Sequence, residues 1–398
     1  MTTGPSIAAA WLAGHEPELS ELRRTLHATP ELGRQEFATT AFIAGHLERA
    51  GLSPKVLEGG TGLVCDVGTG DGPIVALRAD IDALPLSDEK DVSYRSQVSG
   101  VCHACGHDVH TAALLGAGLA LAEYGEGLPG RVRLVFQPAE EVMPGGALDV
   151  IAQGWLEDVR AIFALHCDPA LEVGRVGLKA GAITAAADTV EVRLTGPGGH
   201  TSRPHNTVDL IHALGTVATG LPDALSRLVD PRAGLCLVWG HISAGVARNA
   251  IPREGVLQGT LRVLDKAAWQ SAPDLVRRVV DGLVQPYGAR AEVTYVRGVP
   301  PVVNDPAATA LLTAAVTTAL GPGAAVATVQ SLGGEDFAWY LDSVPGSMAR
   351  LGVKPPGLER PVDLHQGLFD VDEACLAVAV RVLVAAAVAA LTAALPVA

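Results

Sequence analysis

Residues 101–110, VCHACGHDVH, hold two cysteines, three histidines and an aspartate within ten positions. Such a cluster can carry metal or thiol chemistry. The C-x-x-C spacing of Cys102 and Cys105 is compatible with half a zinc ribbon, a redox pair or the edge of a catalytic metal site. A zinc ribbon needs a second pair, which the cysteines at 65, 167, 236 and 375 do not form, and c-type haem attachment needs histidine where Gly106 stands. Thioredoxin-like redox chemistry stays open, but it leaves His107, Asp108 and the distant carboxylates without a use. Metal catalysis uses more of them. Cys105 and His107 offer a thiolate and an imidazole two residues apart, with Gly106 free to turn tightly between them.

Further along, FQPAEEVMPGG sets Glu140 and Glu141 side by side, and His166 ends an apolar run. One metal site seldom uses two adjacent carboxylates as ligands. The second is then free to act as a general base towards water whose pKa a metal has lowered to ~7. Taken singly, each residue has an ordinary explanation. A lone His or Cys at a strand end is usually core or surface, adjacent glutamates are usually a solvated turn, His365 in VDLHQGLFD reads as a surface loop, and EDF at 335–337 as a helix start. Their joint placement points to an α/β metal hydrolase. HExxH, the G-x-S-x-G elbow and the P-loop are missing from the sequence, and GTGDG at 68–72 reads as a hairpin-like loop.

The elements that must position these residues are legible in the apolar pattern. From Pro73 a strand IVALRAD, a helix HTAALLGAGLALAEYG, a strand RVRLVFQ, a helix GGALDVIAQG and a strand AIFALH alternate, which predicts a largely parallel sheet. Asp80 and Asp82, Glu140 and Glu141, and His166 each follow a strand, where open α/β sheets gather their sites. From Ile183 the order changes to βαββαβ: TVEVRL, a helix over 208–221, LCLVWG, GVLQGTLRVL, a helix over 267–283 and AEVTYV. This predicts a ferredoxin-like insert over 183–297 within a discontinuous catalytic domain of 1–182 and 298–398.

With 398 residues, 48% hydrophobic and 18% charged, the chain can bury a large core. Its 43 acidic and 29 basic residues give a net charge of -14, with no basic run, which disfavours nucleic acid and anionic membrane as partners and favours a small-molecule substrate. The N-terminus lacks a basic region ahead of its short apolar stretch, and residues 382–395 read as a buried helix rather than a span. Six scattered cysteines are not a disulfide framework, so the cytoplasm is the expected location.

The segments LHATPELGRQE, ALRADIDALP, HACGHDVHTAALLG, VFQPAEE, GGHTSRPH, NAIP, GTLRVLD, GGEDFA and HQGLFDVDE follow one another from about Leu22 to Glu373. Together they resemble the aminoacylase and hippurate hydrolase group, dinuclear metal amidohydrolases related to the co-catalytic zinc exopeptidases and including the plant auxin-conjugate hydrolases. The resemblance implies an α/β zinc-exopeptidase-like catalytic domain, an inserted ferredoxin-like α+β lid that often forms a homodimer interface, and hydrolysis of the amide in N-acyl amino acids. Carried over by position, the ligands of two divalent ions are Cys105, His107, Glu141, His166 and His365, Glu140 is the general base, and Asp82 orients a ligand. Zinc or manganese is expected, with cobalt or nickel also suited to such a mixed donor set. Asp80 stands where related exopeptidases carry a ligand histidine and is read as support. His200 matches an oxyanion-stabilising histidine, often supplied across a dimer, and Asn249 and Arg262 match groups that meet the substrate carboxylate. A dipeptidase or carboxypeptidase is the alternative within hydrolases, and a non-catalytic redox or metal-storage protein the alternative outside them. Three positions depart from the commoner pattern: Cys102 for methionine, Cys167 after His166, and Gln366-Gly367 for a polar-Pro pair. Cys102 raises the expectation that oxidation could close a disulfide to Cys105, against the simpler reading of a small buried side chain.

Overall fold

The computed structural model describes residues 3–393. Two compact units divide the chain, one of Thr184–Val302 with Gln330–Glu335, the other of Met1–Ile183, Val303–Val329 and Asp336–Ala398.

The larger unit is built on an eight-stranded sheet. Its strand Ile74–Asp80, IVALRAD, is buried at every position, as a strand covered on both faces must be. It runs parallel to Arg131–Gln137 on one side and Val159–Glu172 on the other, and Asp80 is paired with Gln137 so that these two strand ends lie level. The segments after them, carrying Asp82 and Glu140–Glu141, therefore emerge at the same carboxyl edge. His166 differs from expectation. It lies inside its strand, which continues to Glu172 because Gly346–Lys354 pairs alongside, with Arg350 opposite His166 and Lys354 opposite Glu172. GTGDG is not a hairpin either. Arg131–Gln137 lies between the strands it joins, and a Cβ at Gly68 or Gly72 would come within 2.7 or 2.0 Å of the Pro129–Gly130 backbone.

Helices Gly4–Ala28, His107–Tyr124, Pro306–Leu320 and Ala374–Thr392 pack on one another and cover the sheet. In the helix His107–Tyr124 every residue from His107 to Gly118 is buried, and Leu114, Leu115 and Leu121 are fully so. Each such leucine contributes about 1.5–3 kcal/mol by leaving water. Ala374–Thr392 is long and apolar enough to cross a membrane by length and composition, but two-thirds of its apolar window is buried in this core. It is the expected core helix; Leu395, included in that expectation, lies outside the described residues.

The smaller unit has a four-stranded antiparallel sheet in the order Cys236–Ala244, Glu254–Val263, Ala186–Thr195, Arg290–Val299. Helices Leu210–Leu228 and Lys266–Val284 pack on it through Leu214, Val217, Leu221, Leu225 and Trp269, Val276, Val280, each stripe at helical spacing. Asp209 and Asp265 cap their first turns by accepting from His212 N and Ala268 N. This is the ferredoxin-like βαββαβ order. The unit's limits differ from the 183–297 expected. Gly298 N donates to Asp188 and Val302 N to Thr184 Oγ1, which extends the unit to Val302. Gln330–Glu335 joins it because Ala185 N donates to Gly333 O and Gln330 Nε2 donates to Thr184 O and Leu264 O. Long-range pairing of this kind leaves no local trace in sequence.

Candidate metal centre

The sheet edge of the larger unit brings Cys105, His107, Glu140, Glu141, His166 and His365 together. Gly106 separates the first two at φ +90 and precedes the His107–Tyr124 helix; a Cβ there would sit 2.7 Å from Cys167 Sγ. Glycine is thus required both by conformation and by space. His107 Nδ1 donates to the Asp82 carbonyl and to Asp82 Oδ1, at 3.0 and 3.2 Å. His107 Nε2, the other ring nitrogen, is buried without a hydrogen-bond partner and lies 3.7 Å from Asp80 Oδ2. His166 is oriented the same way: Nδ1 donates to Cys167 O at 2.8 Å, and Nε2 faces Cys105 Sγ at 3.7 Å.

The turn after Arg131–Gln137 supplies the carboxylates. Ala139 adopts φ +54, its N–H donates to Glu36 Oε1 at 2.7 Å, and Glu141 N–H donates to Asp82 Oδ2 at 2.9 Å. Asp82 therefore fixes both His107 and Glu141. Glu141 Oε1 is buried without a hydrogen-bond partner, although His365 Nε2 lies 3.3 Å away at ion-pair distance. His365 is half-exposed at the mouth of the cluster, held at φ +61 with its N–H donating to Ala104 O. Glu140 is buried beside Glu141.

A buried frame supports these groups. Asp80 accepts from Arg78 Nη1 at 2.7 Å and from His110 Nδ1 at 2.6 Å, and His110 Nε2 in turn accepts from Cys167 N. Asp336 accepts from Arg78 Nη2, Gln137 Nε2 and Ala147 N, which ties it to the strand end before the Glu140 turn and to the helix start after it. Asp108 accepts from Arg23 and His27 at 2.7 Å each. Burial opposes ionisation of Asp80 and Asp108, yet His107, Arg78 and His110 around the first, and Arg23 and His27 around the second, hold both well below the usual carboxylate range.

The cluster itself calls for cations. Burial raises the Cys105 thiol pKa, while His107 next to it favours the thiolate. Burial disfavours a charged His107, but Asp80 and Cys105 outweigh it and raise its pKa well above the imidazole range. The neighbouring Cys105 and then Glu141 push His365 up to about 10. His166 goes the other way, kept neutral by burial and by Arg350.

Donor atoms of Cys105, His107 and His166 lie within 4.8 Å of one another, as do those of Cys105, Glu141 and His365, and those of His107, Glu140 and Glu141. Thiolate, imidazole and carboxylate are the usual donors for zinc and related ions. Two orphaned, buried donor atoms, His107 Nε2 and Glu141 Oε1, add the observation that the site fits metal. Two of the donor groups share Cys105, which suits a two-ion centre.

Cys102 does not take part with Cys105. Its sulfur groups with His27 and Asp88, and Lys90 Nζ lies 3.9 Å from it while binding Asp88. Burial pushes the Cys102 thiol up to about 11. It is a buried, protonated side chain turned to a different polar cluster, and the disulfide expectation is not supported. His103 is likewise internal, with neither ring nitrogen hydrogen-bonded and its pKa pushed by burial down to about 4.

The other candidates belong to the smaller unit. His200 is exposed, in a short strand paired with Ala250–Ile251, and its Nδ1 accepts from Ser202 N and faces Ser202 Oγ. Asn249 is exposed and its carbonyl accepts from Thr201 N. Arg262 is half-buried and donates to Leu332 O at 2.6 Å, so in this structure it holds the Gln330–Glu335 segment. Sequence reasoning did not single out Glu36, His110 or the Arg78–Asp336 pair. Arg78 within an apolar strand was the available signal, since a buried guanidinium demands carboxylate partners.

Residues 76–389 match the profile of peptidase family M20/M25/M40. A Rhodococcus jostii (strain RHA1) protein provisionally named glutamate–cysteine ligase 2-3 is 50% identical over 370 residues, covering 93% of this chain; the chain spans 46% of that relative's length. The N-acetyl-L-cysteine deacetylase of Bacillus subtilis (strain 168) is 39% identical over 362 residues, covering 91% of this chain and 85% of that one. Among solved structures, the Bacillus subtilis YXEP protein, described as a dinuclear metal binding peptidase of the M20 family, superposes with a TM-score of 0.84 at 35% identity, covering 95% and 99% of the two chains.

Proposed function

Since the chain belongs to peptidase family M20/M25/M40, we propose that it is a metal-dependent amidohydrolase cleaving the amide bond of N-acyl amino acids. The observation that carries this reading is the pair of donor groups that share buried Cys105, one with His107 and His166 and one with Glu141 and His365, with buried Glu140 adjacent to Glu141. Cys105, His107, Glu141, His166 and His365 would hold two divalent ions, zinc or manganese, with cobalt or nickel also accommodated. Such ions supply Lewis acidity, polarising the scissile carbonyl and lowering the pKa of water to ~7.

The chain's own groups do the rest. Asp82 fixes the His107 tautomer so that Nε2 is the donor, and Cys167 O does the same for His166. Glu140 accepts the proton of the attacking water and returns it to the leaving amine, which departs neutral. His200 is the candidate donor to the tetrahedral oxyanion, and the ferredoxin-like unit is the candidate homodimer interface. Asn249 remains a candidate for the substrate carboxylate, and Arg262 would have to release Leu332 O to serve there. Six free cysteines accord with a reducing, cytoplasmic setting.

The test is a hydrolysis screen of N-acetyl, N-benzoyl and long-chain N-acyl amino acids alongside unblocked dipeptides, with metal analysis of the same sample. Turnover of N-acyl amino acids with two ions bound supports the reading. Cleavage of unblocked dipeptides alone would replace it by a dipeptidase.

A further inference from the structure

Glu36 precedes the Phe37–Arg49 helix, a hundred residues from the carboxylate turn, and is fully buried. Its backbone is anchored, since Thr40 N and Thr40 Oγ1 both donate to Glu36 O, and Thr40 Oγ1 itself accepts from Gly62 N at 2.8 Å. From this base Oε1 accepts the Ala139 N–H at 2.7 Å, and Oε2 is buried without a hydrogen-bond partner. Ala139 is one of three non-glycine residues at positive φ among those described, with Arg34 and His365. That conformation costs roughly 1–3 kcal/mol and persists only where surrounding contacts impose it. Two contacts do so here: the Glu36 bond, and Gly146 N donating to Ala139 O at 3.0 Å. Asp82 Oδ2 holds the Glu141 N–H, so buried carboxyl groups grip the backbone on both sides of Glu140.

We propose that Glu36 is a positioning residue for the hydrolysis: by holding the Ala139 N–H it imposes the left-handed turn that aims Glu140. The inference rests on Glu140 acting as general base. Burial, together with the charge of Asp82, pushes the Glu36 carboxyl up to about 7. A neutral amide therefore copies both its accepting oxygen and its size. Aspartate does not, because its carboxyl retreats by about 1.5 Å, one carbon–carbon bond, which breaks the contact.

The experiment compares Glu36→Gln, Glu36→Asp and Glu36→Ala with Glu140→Gln, measuring kcat, KM, bound metal and amide hydrogen exchange in the peptide spanning Ala139 to Val142. Glu36→Gln should stay within a few-fold of wild type. Glu36→Asp and Glu36→Ala should lower kcat by roughly tenfold or more, corresponding to a misaligned proton acceptor. KM and metal content should hold, and exchange in that peptide should accelerate. Wild-type kcat and exchange in both Glu36→Asp and Glu36→Ala would overturn the proposal, as would a Gln variant as slow as the Ala variant. So would metal loss in step with kcat, which would make Glu36 a support of the ligands instead. Should Glu36→Ala fail to fold, the Asp and Gln variants carry the comparison. An active, metal-replete Glu140→Gln protein would remove the general-base reading itself, whereas an inactive one beside unaffected Glu36 variants would remove only the positioning role.

Discussion

Glu36 also makes a testable contribution to stability against pH. Its carboxyl has a folded-state pKa of about 7, raised from the ordinary 4.5 mainly by burial. Between those values the folded protein binds a proton that the unfolded chain has released, so stability contributed by the neutral form is complete below about 4.5 and is lost as pH rises through about 7. The side chain is 0% exposed, so no solvent screening reduces the effect. At 1.36 kcal/mol per pH unit the gap corresponds to about 3 kcal/mol. Glu36→Gln has no proton to lose. Equilibrium urea unfolding of wild type and Glu36→Gln from pH 4 to pH 8, both with metal removed by chelator, isolates the term, because other titrating groups cancel in the difference. The Gln variant should gain on wild type by about 3 kcal/mol between the two ends, with most of the change between about pH 5 and 7. A difference that is flat across pH, or that favours wild type increasingly at high pH, would refute the buried neutral carboxyl.

Gly106→Ala should destabilise the protein by about 2 kcal/mol or more and weaken metal binding, because φ +90 and a Cβ 2.7 Å from Cys167 Sγ are both unfavourable. An unchanged melting temperature would contradict this. Asp82→Asn, which disturbs the contacts to His107 Nδ1 and Glu141 N, should weaken metal affinity by about 10- to 100-fold in a chelator competition; equal affinity would argue against its orienting role. His200→Ala should lower kcat by roughly 10² to 10³. If the histidine acts across a homodimer, mixing that variant with Glu140→Gln should restore part of the activity, and no recovery despite subunit exchange would place the whole site in one chain.

Much of this was legible because local pattern and global position agree. IVALRAD and RVRLVFQ carry the apolar run of a doubly covered strand, and each was expected at the residues it occupies. The stripes of Leu210–Leu228 and Lys266–Val284 likewise report their single buried face. The convergence of Asp82 with Glu140 and Glu141 follows from strand ends sharing an edge, a rule independent of sequence distance. What sequence did not disclose depends on pairings between remote segments. His166 falls inside a strand only because Gly346–Lys354 extends it, and GTGDG crosses a strand because Arg131–Gln137 inserts between its neighbours. Glu36 looked like one more polar residue before a helix; its burial against Ala139 is a tertiary fact. Cys102 and Cys105 share a short motif, yet they turn to different polar clusters, which spacing alone does not reveal.

The central claim is that Glu140 moves the proton for hydrolysis at a two-ion centre held by Cys105, His107, Glu141, His166 and His365. The most direct measurement is turnover of an N-acyl amino acid by wild type and Glu140→Gln, with metal counted in the same samples. The account predicts two ions per chain in both proteins and hydrolysis by wild type alone, a loss of at least roughly 10² to 10⁴ for removing the general base. Wild-type turnover by the metal-replete Gln variant would contradict it.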